Sequence, residues 1–135
     1  MGATVHSKTE IENQRIAVYD TVTVSSGEGI SDAIVLEGQA VVRIITPGDW
    51  VTASAPTVSL AVSEDGTTYR QVYYWNNASP TTAVIGAVTV ATGCSYAIPS
   101  SWTDGAYSVK VVSGTVAATT PVEHDHVVGL VYRLV

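Results

Sequence analysis

From Thr57 to Ser63 the chain alternates: Val58, Leu60 and Val62 are apolar, while Ser59, Ala61 and Ser63 are small or polar. A period of two marks a half-buried β-strand. Ser63-Glu64-Asp65-Gly66 then supplies turn chemistry, because Asp bonds its own backbone and Gly tolerates positive φ. A second β-prone run, Thr67 to Trp75, returns from that turn, so the pair predicts a hairpin. Tyr69 and Val72 have opposite parity within the returning run. It therefore either carries a bulge or is covered on both faces.

Reading outward from this hairpin, further strands are expected at near-regular spacing. Ile16–Val24 places Ile16, Val18, Val22 and Val24 on one face, with Asp20 interrupting it. Ile30–Leu36 is short and closed by Glu37-Gly38. Ala40–Thr46 is the most apolar stretch, and its Val41, Val42, Ile44 and Ile45 face both ways, so it belongs in the middle of a sheet. Pro47-Gly48-Asp49-Trp50 stops it. A loop to Pro56, with room for one helical turn, leads into the hairpin. Ala83–Val90, Cys94–Ile98, Tyr107–Val111 and Val127–Leu134 follow, separated by turn clusters at Asn76–Pro80, Thr92-Gly93, Pro99–Gly105 and Ser113–Pro121. No segment carries a helical period, so under about a tenth of the residues should be helical. Eight or nine short strands in this arrangement predict an all-β protein, an antiparallel β-sandwich of jelly-roll-like form.

With 135 residues the chain is one domain by size. We divide it into an N-terminal arm, 1–15, and a single sandwich domain, 16–135. Residues 1–14 hold few apolar groups, namely Met1, Ala3, Val5 and Ile11. Those cannot offset an ordering cost of about 1–2 kcal/mol per residue. An ordered arm therefore has to dock, and a neighbouring chain is the expected surface.

Apolar residues make up 46% of the chain and charged residues 13%. The first figure is too high for disorder. The second falls well under the roughly 25% usual for soluble domains. Either partners cover much of the surface, or it is an uncharged coat of Thr and Ser. The net charge of −6, with no basic stripe, disfavours a nucleic-acid partner. Cys94 is the only cysteine, which leaves no internal disulfide. The N-terminus lacks the apolar core of a secretory signal. No run approaches the roughly 18 apolar residues of a membrane-spanning helix, so no membrane partner is expected.

Several landmarks together resemble a known family. They are Ile30-Ser-Asp-Ala-Ile-Val-Leu36, Val42-Arg-Ile-Ile-Thr-Pro-Gly-Asp-Trp50, Val58-Ser-Leu-Ala-Val-Ser-Glu-Asp-Gly-Thr-Thr-Tyr69 and Tyr107-Ser-Val-Lys-Val-Val-Ser-Gly114. Their order is similar to that of small β-sandwich proteins encoded in the structural gene clusters of tailed bacteriophages and prophages, over residues 25–135. That resemblance implies a non-enzymatic virion protein, of the capsid-decoration, head-fibre-base or tail-associated kind. It implies assembly with itself as a homo-oligomer and with a major capsid or tail protein, and localisation to the virion. No active site or cofactor is carried over from it.

Three clusters offer chemistry. Glu123-His124-Asp125-His126 is dense in metal-capable groups, and His124 and His126 would share one side of a strand. A closed zinc site needs four ligands. The sequence shows no third beyond the distant His6, so no stoichiometric zinc is expected. Ser63–Gly66 lacks the alternating acids and distal Glu of a calcium loop. Trp50, Trp75 and Trp102, with Tyr73 and Tyr74, all fall at strand ends or in loops, as interface anchors or as a platform for stacking sugar. Phe is absent, so these residues must also serve the core. The alternative function is accordingly a carbohydrate-binding module for host surface glycan, which would keep at least one Trp exposed in a groove. Asn77-Ala78-Ser79 matches a glycosylation sequon but means little without secretion. No nucleophile elbow surrounds any Ser.

Overall fold

The computed structural model describes residues 17–76 and 79–134; the arm of residues 1–15 and Asn77-Ala78 lie outside them. Eleven strands form among the described residues: β1 (Ala17–Val24), β2 (Ile34–Val35), β3 (Ala40–Ile45), β4 (Thr57–Ser63), β5 (Arg70–Gln71), β6 (Tyr73–Asn76), β7 (Ser79–Ile85), β8 (Ala87–Thr89), β9 (Ser95–Ala97), β10 (Ser108–Ser113) and β11 (His126–Arg133). The helical element among these described residues is a 3-10 turn at Ser100–Trp102.

One sheet has the order β1-β11-β3-β9 and the other β2-β10-β4-β5, with β8 also on β4. Each neighbouring pair is antiparallel. The chain changes sheet at every step from β1 to β4 and again from β9 to β11. This is the strand order of a jelly roll, two Greek keys wrapped into a sandwich. Val24, Val41, Ile44, Val128 and Leu130 from the first sheet meet Val58, Leu60, Val109 and Val111 from the second in one core, and all nine are fully buried. Burial of each such side chain is worth about 1.5–3 kcal/mol.

Local irregularities follow from particular residues. Val41 and Ile44 have opposite parity yet both reach the core. The β3–β11 register shifts between Val131 and Tyr132, which leaves Val42 as the extra residue of a bulge. β3 is an inner strand as predicted, but its Arg43 is exposed. The strand most fully covered on both faces is β4. β2 is shorter than the predicted Ile30–Leu36. There the Ser31 hydroxyl takes the Val111 N–H at 2.9 Å, a place a main-chain carbonyl would fill, and only an isolated Ile30–Val112 bridge continues the pairing.

Nine predicted segments become eleven because two of them divide. The returning run after the turn breaks at Val72 into β5 and β6, and the Ala83–Val90 run breaks at Gly86 into β7 and β8. β5 pairs with Ala61 and Val62 of β4, and β8 pairs further along the same edge with Thr57 to Ser59. The Val72 N–H continues the ladder to the Leu60 carbonyl at 3.1 Å. The edge strand is therefore one line, interrupted by an inserted hairpin that leaves at Val72 and returns at Gly86. The Gly86 N–H closes its neck on the Val72 carbonyl at 2.9 Å.

Candidate functional site

The inserted hairpin forms a sheet of its own. β6 and β7 pair with each other, Tyr73 to Ile85, Tyr74 to Val84 and Trp75 to Ala83. With no second sheet over it among the described residues, the hairpin leaves its aromatic side chains in solvent: Trp75 is 65% exposed and Tyr73 57%. Tyr74 turns back and stacks on Trp102 of the 3-10 turn, with centroids 5.7 Å apart and planes 23° from parallel. Tyr73, Tyr74, Trp75, Pro99, Ser101 and Trp102 enclose a cleft of about 470 Å³. Trp102 forms its buried wall, and its indole N–H has no hydrogen-bond partner among the described residues.

The neck explains why this wall is close-fitting. A Cβ on Gly86 would stand 2.8 Å from Val72 Cγ1 and 3.1 Å from the Trp102 ring. Only glycine lets the hairpin return so close to the indole. Chemically, the cleft offers flat aromatic faces, a proline and a hydroxyl. Such a surface suits stacking on a sugar ring or burial against another protein.

Of the five aromatic candidates, Tyr73, Tyr74, Trp75 and Trp102 come together at the cleft. Trp50 does not. It is 2% exposed, at the opposite kind of site, with its indole N–H donating to the Ala55 carbonyl at 2.6 Å. An α-turn closed by the Ala55 N–H on the Val51 carbonyl holds that loop. Pro99 and Ser101 were not singled out by the sequence, which marks them only as loop residues.

A second cluster lies where the loop after β3 meets the start of β11. The His126 ring is fully buried and packs on Trp50, centroids 4.5 Å apart. Its Nε2 accepts a long 3.5 Å bond from the Val51 N–H, while Nδ1 is buried without a partner among the described residues. Burial pushes its pKa below the ordinary histidine value, with the neighbouring Asp125 carbonyl opposing. His124 stands just before β11, its ring edge-on to His126 at 4.5 Å, so the two histidines do share a side. Asp49, absent from the sequence-based candidates, lies 3.7 Å from His124.

Asp65 belongs to neither cluster. One carboxylate oxygen accepts from the Thr67 and Thr68 N–H groups at 2.8 and 3.0 Å and contacts the Ser63 hydroxyl at 2.9 Å. Those backbone donors lower its pKa to about 2. The carboxylate is thus engaged by the hairpin turn.

No family model matches the chain, and no curated protein matches it. Among solved structures it is similar to the SPBc2 prophage-derived protein YomS, with a TM-score of 0.52 at 10% identity over 87% of this chain and 95% of that one. At that identity the likeness shows a shared fold. The acidic stable capsid structure of Helicobacter pylori bacteriophage KHP30 aligns over 90% of this chain and 92% of its own at 17% identity, with a TM-score of 0.38, below what a shared fold requires.

Proposed function

We propose that the chain is a non-enzymatic structural protein of a tailed-phage virion, assembling with itself and with a capsid or tail protein in a decoration or accessory role. The observation that carries this reading is the hairpin that leaves the sheet edge and holds Tyr73 and Trp75 in solvent. Large aromatic side chains clustered in the open are costly to leave wet and are typical anchors of protein interfaces. The shared fold with a prophage-derived protein supports the phage setting. The low share of charged residues in the chain, 13%, supports extensive contact with neighbours.

Sedimentation of the full-length chain tests the assembly half of the proposal. We expect a homo-oligomer that dissociates when Tyr73 and Trp75 are both changed to Ser. A chain that stays monomeric at every accessible concentration overturns self-assembly. A particle reconstruction with no density for this chain overturns the virion role. Removal of residues 1–14 should leave the domain folded but weaken association, if the arm docks on another chain.

The cleft favours a second reading, recognition of host surface glycan. Trp75 is the exposed Trp that such a binder needs, and Trp102 walls the groove beside it. Glycan-array binding lost in a folded Trp75→Ala variant would favour this reading. Trp50 has no place in that test, because it is a core residue.

A further inference from the structure

Asp49, His124 and His126 put one ligand atom each within 4.8 Å of one another. The sequence alone offers only the two histidines. The fold adds the third group by folding the loop after β3 onto the start of β11. We propose that these three residues bind one first-row divalent cation, zinc being the best match, and that the ion ties the β3–β4 loop to β11 at this end of the sandwich.

The donor set fits the ion. Two imidazoles and a carboxylate are a common set of three protein ligands for zinc, with a fourth position left to solvent. Bonds of roughly 2.0–2.1 Å in a tetrahedral array put ligand atoms about 3.4 Å apart. Asp49 and His124 are already 3.7 Å apart. Closing the remaining gap needs movement only of the partly exposed side chains of Asp49 and His124, which are 66% and 44% exposed, with His124 Nδ1 giving up its 3.0 Å contact to the Asp125 carbonyl.

His126 is the fixed member. It is fully buried and wedged on the Trp50 ring, so its orientation is set before any ion arrives. Its ring is also underused. One nitrogen has only the 3.5 Å contact from Val51, and the other has no partner among the described residues. A buried polar atom without a strong partner is uncommon in folded proteins. Whichever nitrogen carries the proton, the neutral ring keeps a lone pair that no protein group claims firmly.

The experiment uses the full-length chain, stripped with chelator and titrated with zinc chloride by calorimetry, with thermal unfolding followed in parallel. We expect one equivalent bound per chain and a midpoint that rises with zinc concentration, because an ion that binds the folded state alone stabilises it. Asp49→Asn and His124→Gln alter exposed side chains, so both variants should fold. Each should weaken binding by about tenfold or more, since even outer-shell partners of a metal are worth roughly 10–100-fold. His6→Ala, which removes the histidine of the arm, should bind as the parent does. Absence of binding overturns the proposal, as does binding that survives both site variants or disappears in His6→Ala.

Discussion

Trp50 and Trp75 look alike in the sequence and end in opposite environments. Each stands at a strand end beside polar residues. Trp50 lies in a loop that folds over the open end of the sandwich, where β11 and the β3–β4 connection close on it, and it retains 2% of its exposure. Trp75 lies on a hairpin that has left the sandwich, with only β7 beside it, and it retains 65%. What separates them is not local pattern but whether a second layer reaches the residue. Aromatic identity alone therefore says nothing about which role a Trp will take in this fold.

The most severe way to probe the contrast is to truncate both. Trp50→Ala removes a buried ring, a 2.6 Å hydrogen bond and the surface on which His126 rests. We expect a loss of about 3–5 kcal/mol, a large share of a domain's usual 5–15 kcal/mol. Chemical denaturation would measure it, and a loss under about 1 kcal/mol, the scale of a modest core change, would show that Trp50 is not a core residue. Next in size is Gly86→Ala at the neck of the hairpin. The new methyl meets Val72 and the rigid Trp102 ring at 2.8 and 3.1 Å, so about 1–3 kcal/mol should be lost to overpacking. The same variant should disturb the Tyr74–Trp102 stack, visible as a change in near-ultraviolet dichroism.

The two regions were also unequally legible. The period-two runs placed the nine strand segments correctly in order, because burial against a facing sheet is written into alternate residues such as Val58, Leu60 and Val109. The excursion of the hairpin was not written that way. The parity break between Tyr69 and Val72 has a different cause: Val72 is buried in the core, while Tyr69 lies on the other face of the same sheet, bonded to the Ser108 hydroxyl at 2.6 Å and under Lys110, which is the double coverage the sequence admitted. The change of pairing partner from β4 to β7 comes after Val72, and partners distant along the chain leave no local signature. Asp49 was missed for the same reason: it looks like a turn residue after Pro47-Gly48, and its approach to His124 exists only once the loop folds over. The His-x-His spacing was visible because both residues are close in sequence.

Trp75→Ala should be nearly silent in stability, within about 0.5 kcal/mol, because the side chain is mostly in water. Its effect should fall on association instead. Sedimentation equilibrium would show a shift toward monomer if the hairpin is an interface, and glycan binding would fail if it is a platform. A variant that loses stability as much as Trp50→Ala does would break the comparison, since it would mean that the hairpin is integral to the core.

The smallest effect is expected at the turn that feeds the hairpin. Asp65 holds the β4–β5 turn by accepting from Thr67 and Thr68, and Gly66 there has a φ of 80°. Its folded pKa, about 2, lies below the ordinary 3.8. A depressed carboxylate contributes stability that is complete above its unfolded value and is lost as pH falls through the folded one. Acidification from about 4 to 2 should therefore loosen this turn through Asp65, whereas the Trp50 end responds to acid through a different group, His126, whose pKa burial lowers. Asp65 is at the surface, so the loss should be slight, and the useful readout is local. The amide resonances of Thr67 and Thr68 should titrate together near pH 2, while the Trp50 indole N–H follows the charging of His126 and takes no part in that step. Asp65→Ala should abolish that titration. If the Trp50 signal moves in step with the turn, the hairpin side and the buried end form one cooperative unit, and the contrast between them is one of exposure alone.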